Sequence, residues 1–123
     1  MKKLLVVEDD PDYAALAERA LGRSYDVTVV RDVGTAGAVA VKKGVDAILL
    51  DIMLPGSSGA DFVDWMQSNA ALRNIPVVLM SAAHIQGSVR LRCFKHDNVR
   101  TFVEKMHGLS VLMQALALTL VSA

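Results

Sequence analysis

Short apolar runs alternate with helically spaced apolar stripes along the whole chain, and this alternation constrains the fold more than any single residue. The runs Leu4-Leu5-Val6-Val7, Asp26 to Val30, Val45 to Leu50, Val77 to Met80 and Thr101 to Val103 predict five strands, each bounded by polar or turn residues. Between them, Tyr13, Leu16, Ala17, Ala20 and Leu21 form a helical stripe closed by Gly22. Val33, Ala36, Ala40 and Val41 form a second that ends at Gly44, and Phe62, Val63 and Met66 a third after Gly59. Ile85, Val89 and Cys93 give a weak fourth, and Leu109, Leu112, Met113, Leu116 and Leu120 a fifth. Five strands alternating with five helices predict an α/β fold: a doubly wound parallel sheet covered on both faces. The near-continuous apolar strands one, three and four suit that double burial.

The 123 residues predict one domain spanning residues 1–123. A formal net charge of zero provides no long-range field toward nucleic acid or an anionic membrane. The one cysteine, Cys93, excludes an internal disulfide and a cysteine-built zinc site, and the cytoplasm is the simplest compartment. After Lys2 and Lys3 the apolar run stops at Glu8, too soon for a signal peptide. Leu109 to Val121 is the most apolar segment, but Ser110, Gln114 and Thr119 interrupt it, and no membrane span is expected.

Open parallel sheets bind ligands at the carboxyl ends of their strands. Strand one runs into Glu8, Asp9 and Asp10, strand three ends at Asp51, strand four at Ser81, and Lys105 lies just beyond strand five. Clustered carboxylates repel one another unless a counter-charge is present. A divalent cation supplies it, and hard oxygen donors without histidine favour Mg2+ over zinc. A lysine adds a point charge for a phosphate, and a carboxylate can be the nucleophile of phosphoryl transfer. Carboxylates, cation, ammonium and hydroxyl are a sufficient set for that chemistry.

The segments Leu4 to Pro11, Ala47 to Gly56 and Val77 to Ala82 resemble the response-regulator receiver domains of two-component signalling, the superfamily of the chemotaxis regulators. The resemblance runs closely from strand one through strand four. It implies a flavodoxin-like fold with strand order 2-1-3-4-5. It further implies Asp51 as phosphoacceptor, Glu8 and Asp9 as the Mg2+-holding acidic pair, and a metal contact from the backbone carbonyl of Met53. Ser81 matches the switch hydroxyl, Lys105 the phosphate-binding lysine and Phe102 the aromatic rotamer switch. The partners implied are a sensor histidine kinase or a phosphotransfer protein, and a downstream protein target or fused output domain. The domain is then a phosphorelay switch rather than an enzyme, with self-phosphorylation and autodephosphorylation as its only chemistry. Met53 and Ala83, at the positions that tune autodephosphorylation, are apolar and predict a persistent phosphoryl group.

The last third departs from the pattern. Met106 follows Lys105 where the family usually has a proline, and a cis bond before a non-proline residue costs about 3 kcal/mol, so a trans peptide is expected. Arg90 to Arg100 is basic and poorly amphipathic, which predicts a shortened, shifted or mobile fourth helix. An alternative reading is therefore a receiver-fold interaction module that no longer switches on phosphorylation. Each site residue also has a structural reading: Asp9 or Asp10 as a helix cap before Pro11, Asp51 or Ser81 as turn residues, Lys105 as a surface lysine. Arg90, Arg92 and Lys95 read as a solvated face, with a basic patch for an acidic partner as the alternative. A second apolar line on the fifth helix, at Val111, Ala115 and Leu118, predicts a partner or homodimer surface. The chain's end soon after that helix fits a single-domain regulator and a receiver from a longer protein equally well.

Overall fold

The computed structural model describes residues 1–54, 58–82 and 85–121. Five parallel strands, β1 (Lys3–Val7), β2 (Asp26–Val30), β3 (Ala47–Asp51), β4 (Val77–Ser81) and β5 (Val99–Glu104), form one sheet in the order β2-β1-β3-β4-β5. The helices are α1 (Pro11–Leu21), α2 (Val33–Lys43), α3 (Gly59–Met66), α4 (Gly87–Phe94) and α5 (Leu109–Val121). A single 3-10 turn, Lys105–His107, links β5 to α5.

The period-two geometry of the strands divides the core into two layers. Leu4, Val6, Leu49, Val78 and Met80 pack with Ala17 and Leu21 of α1 and Leu112, Leu116 and Leu120 of α5. Leu5, Val7, Ile48, Leu50 and Leu79 face the other way, against Ala36 and Ala40 of α2, Phe62 and Met66 of α3 and Cys93 of α4. Strands β1, β3 and β4 are thus apolar at successive positions because each face meets a helix layer. The doubly wound fold with order 2-1-3-4-5 is the one expected.

Local departures have local causes. The third strand begins at Ala47 rather than Val45, because the Asp46 carboxylate accepts the Lys3 backbone N–H at 2.7 Å and replaces a ladder bond. The fifth strand is longer than Thr101 to Val103 because its register slips: Val77 pairs with Val99 and Val78 with Thr101, leaving Arg100 as an extra residue. That slip breaks the alternation by which a strand is recognised. Three residues assigned to the core stripes lie outside them: Leu16 is 53% exposed, Val41 51% and Met113 38%. The buried sets are Ala14, Ala17 and Leu21 on α1, Ala36, Gly37 and Ala40 on α2, and Leu112, Leu116, Thr119 and Leu120 on α5. Small residues lie on the sheet-facing stripes of α1 and α2, so the larger apolar neighbours project sideways. Gly37 has a further reason to lack a side chain, since a Cβ there would come within 2.9 Å of the Trp65 ring, which stacks on Phe62.

Helix starts follow the capping residues. Asp10 caps α1 by accepting from Asp12 N, with Pro11 in the first turn; Asp32 caps α2 and Ser58 caps α3. The 8-residue α4 has no side-chain cap. The Lys105–Met106 peptide is trans.

Candidate functional site

The carboxyl ends of β1, β3, β4 and β5 converge on one rim. Glu8 follows β1, Asp51 and Ser81 are the last residues of β3 and β4, and Lys105 follows β5. Glu8 and Ser81 are fully buried and Asp51 is 4% exposed, while Asp9 is half-buried. One carboxylate oxygen from each of Glu8, Asp9 and Asp51 lies within 4.8 Å of the others. Asp10 is outside this group, because its carboxylate is committed to the α1 cap. Of the acids after strand one, then, Asp10 caps and Glu8 and Asp9 cluster.

Each oxygen has a defined environment. Asp51 Oδ1 accepts the Met53 backbone N–H at 2.9 Å, and Oδ2 accepts from Lys105 Nζ at 2.9 Å. Glu8 Oε2 accepts the Asp10 N–H at 3.1 Å. Glu8 Oε1 touches the Lys105 ammonium as an ion pair but makes no directed hydrogen bond. Burial pushes the Glu8 carboxyl up to about 7, and the Asp51 charge adds to that rise while Lys105 and the Asp10 N–H oppose it. Burial also acts to lower the Lys105 ammonium, but Glu8 and Asp51 outweigh it and hold its pKa above the ordinary lysine value. The ammonium lies 4.5 Å from the centroid of the Tyr13 ring, and burial raises the Tyr13 phenol in turn.

This pocket fits a hard divalent cation. Among the described residues three carboxylates face one ammonium, so negative charge is in excess, and the candidate donors are all oxygens. The buried Glu8 Oε1 faces the Lys105 ammonium and is an oxygen that a metal would also satisfy. Mg2+ suits such a donor set.

The remaining predicted positions lie around the pocket. Phe102, on β5, is half-buried against the α2–α4 layer with the Arg90 guanidinium 4.8 Å above its ring. Met53 is 57% exposed, and its amide is tied to Asp51. Ala83 lies outside the described residues, as do Pro55 and Gly56 of the Asp51 motif. On α5, Val111 is 39% and Leu118 76% exposed, with Ala115 half-buried between them.

Sequence reasoning missed two arrangements. Tyr13 reads as a core-stripe residue, yet its ring also faces Lys105. The only signal was its place on the first turns of a helix that starts at the site. Arg92 reads as part of a solvated face, but it pairs with Asp61 and with Asp64, at 2.7 Å to the latter. His96 Nε2 lies 2.7 Å from the other Asp64 oxygen. Two residues of this basic segment, Arg92 and His96, thus meet acidic partners on α3 of the same chain.

A family model described as the response regulator receiver domain matches residues 4–117. The response regulator PleD of Caulobacter vibrioides is 36% identical over 86 residues, which are 69% of this chain and 19% of that protein. The crystal structure of the phosphorylated cyanobacterial phytochrome response regulator RcpA is 27% identical with a TM-score of 0.74, over 97% of this chain and 89% of that one. A CheY-like receiver domain protein from Methanospirillum hungatei JF-1 shares the fold, with a TM-score of 0.89 at 15% identity over 99% of this chain and 95% of that one. Matches to the curated relatives span 18% to 35% of those proteins' length.

Proposed function

The chain belongs to the response regulator receiver domain family of two-component signalling, and on that premise we propose that it is a switch whose phosphoacceptor is Asp51. The observation that carries this reading is the Lys105 ammonium held 2.9 Å from Asp51 Oδ2, beside the Glu8 and Asp9 carboxylates. In the proposed transfer an Asp51 oxygen attacks the phosphorus of a phosphohistidine. The P–N bond breaks, the imidazole leaves with the electron pair and takes up a proton, and an acyl phosphate remains on Asp51. Glu8, Asp9, Asp51 and the Met53 carbonyl would hold Mg2+, which neutralises charge on the transferring group. Lys105 is already in place to contact a phosphoryl oxygen, and Ser81, at the end of the adjacent strand, supplies a hydroxyl for a second.

The donor in this reading is a sensor histidine kinase or a phosphotransfer protein, in the cytoplasm, and residues 1–123 act as one receiver domain. Among the described residues no helix is long and apolar enough to cross a membrane. Recruitment of Ser81 by the phosphoryl group would let Phe102 change rotamer and alter the α4–β5–α5 face. That face would contact a downstream protein or a fused output domain, and the exposed line of α5 would serve a partner or a second copy. The apolar, exposed Met53 is unable to orient an attacking water and favours a persistent phosphoryl group.

Titration with beryllofluoride, and incubation with acetyl phosphate, test the assignment. Wild type is expected to respond in a Mg2+-dependent way and Asp51→Asn to show no response. A specific observation also favours the non-switching module: α4 is tied to α3 by the Arg92 and His96 contacts. Absence of any Mg2+-dependent response in wild type would establish that second reading over the first.

A further inference from the structure

Lys105 has little backbone support for the task assigned to it. The β4–β5 ladder ends at the pair Ser81–Glu104, so Lys105 lies one residue past the sheet. It opens a 3-10 turn whose next residue, Met106, is 77% exposed. Its side chain is nevertheless largely covered, with 12% exposure, and reaches the site through the ammonium. Among the described residues that ammonium meets the carboxylates of Glu8 and Asp51 and the face of the Tyr13 ring, at 4.5 Å from its centroid.

These three partners differ in what else they do. Glu8 and Asp51 belong to the carboxylate cluster that fits a metal ion, and in the proposed function Asp51 also becomes an acyl phosphate. Once those oxygens are so engaged, Lys105 shares them with stronger competitors. The Tyr13 ring has no such second commitment. Its π face attracts a cation electrostatically, yet it has no charge that would compete for the metal or repel a phosphoryl group. Tyr13 is itself held firmly, half-buried on α1 (whose N-cap, Asp10, follows the acidic pair) and packed against the α1–α5 core layer.

We infer that Tyr13 is a positioning residue for Lys105: its aromatic face keeps the ammonium aimed at Asp51 when the carboxylates are taken up by metal and phosphoryl group. This inference rests on Asp51 as phosphoacceptor. The role belongs to the ring and not to the hydroxyl, so Tyr13→Phe should preserve it. Tyr13→Leu keeps apolar bulk against the core but removes the π face.

The test has two readouts. In metal-free protein, ring current should move the Lys105 ε-proton NMR signals upfield in wild type and Tyr13→Phe, and Tyr13→Leu should return them to ordinary lysine positions. With Mg2+, Tyr13→Leu should bind beryllofluoride between about fivefold and thirtyfold more weakly than wild type, while Tyr13→Phe matches wild type. Equal binding by wild type and Tyr13→Leu overturns the inference and leaves the phosphoacceptor reading standing. So does a Tyr13→Phe variant as weak as Tyr13→Leu. No binding by wild type overturns the phosphoacceptor reading, and the positioning role falls with it.

Discussion

Glu8 shows most sharply how a functional arrangement strains a fold. Its carboxyl is fully buried and its pKa is raised to about 7, so the folded state resists its ionisation. A raised carboxyl pKa means the folded chain binds protons more tightly than the unfolded one. Metal-free stability therefore falls as pH rises from about 4.5 through about 7. Glu8→Gln keeps an acceptor for the Asp10 N–H, removes one of three carboxylates and leaves Asp51 to pair with Lys105. In EDTA at pH 8 this variant is expected to be more stable by on the order of 1–3 kcal/mol, a rise of several degrees in Tm. The gain should disappear as pH falls below the unfolded value of about 4.5, where Glu8 is protonated in the folded and the unfolded chain alike. A lower Tm than wild type at pH 8 would contradict the assignment of strain to this residue.

At the scale of elements, α4 and α5 differ in what holds them. Helix α4 lacks a cap and buries only Cys93, so side-chain contacts to α3 matter more for it than for its neighbours. Asp64 on α3 accepts from Arg92 and His96, and the His96 contact, with Arg92, holds its carboxyl below the usual aspartate range. For a depressed carboxyl the stabilisation is present above the unfolded pKa of 3.8 and is lost as pH falls through the lower folded value. Asp64→Asn should therefore lower Tm at pH 7 by a few degrees, as expected of a solvent-screened pair of about 1 kcal/mol or less. The gap to wild type should close as pH falls through the lowered folded pKa of Asp64; a gap that persists in acid would show that Asp64 acts by packing alone. Helix α5, by contrast, has no charged residue from Leu109 to Val121 and leaves Val111 and Leu118 exposed. If that line meets a partner or a second copy, Leu118→Glu should weaken self-association in sedimentation or partner binding without lowering Tm. Unchanged sedimentation together with unchanged partner binding would count against the surface.

Across the whole molecule, the sheet was legible because double burial leaves a simple trace: Leu4 to Val7, Ile48 to Leu50 and Val77 to Met80 are apolar at every position. The rim residues were legible for a related reason, since a charged group directly after a buried strand has few structural uses. Glu8, Asp51 and Lys105 could thus be placed at strand ends from order, whereas their separate roles came only from the family resemblance. Facing and register were not legible in the same way. Leu16 and Val41 satisfy helical spacing as well as the buried residues beside them do, and only the close approach of Ala17, Ala36 and Gly37 to their neighbours selects the inner stripe. The slip at Arg100 removes the alternation that would have marked the full length of β5. Asp9 and Asp10 are chemically equivalent in one dimension, and the α1 cap separates them by taking Asp10. Similarly, Arg92 is close to Asp61 and Asp64 only after some thirty intervening residues have crossed the sheet and returned. By itself, then, the sequence determined the strand–helix order and the acids, hydroxyl and lysine that end the strands, because burial and strand ends are local in sequence. Only the tertiary structure decided which oxygens share a pocket, that Tyr13 faces Lys105 and that α4 is pinned to α3, because those contacts depend on distances that spacing along a chain does not encode.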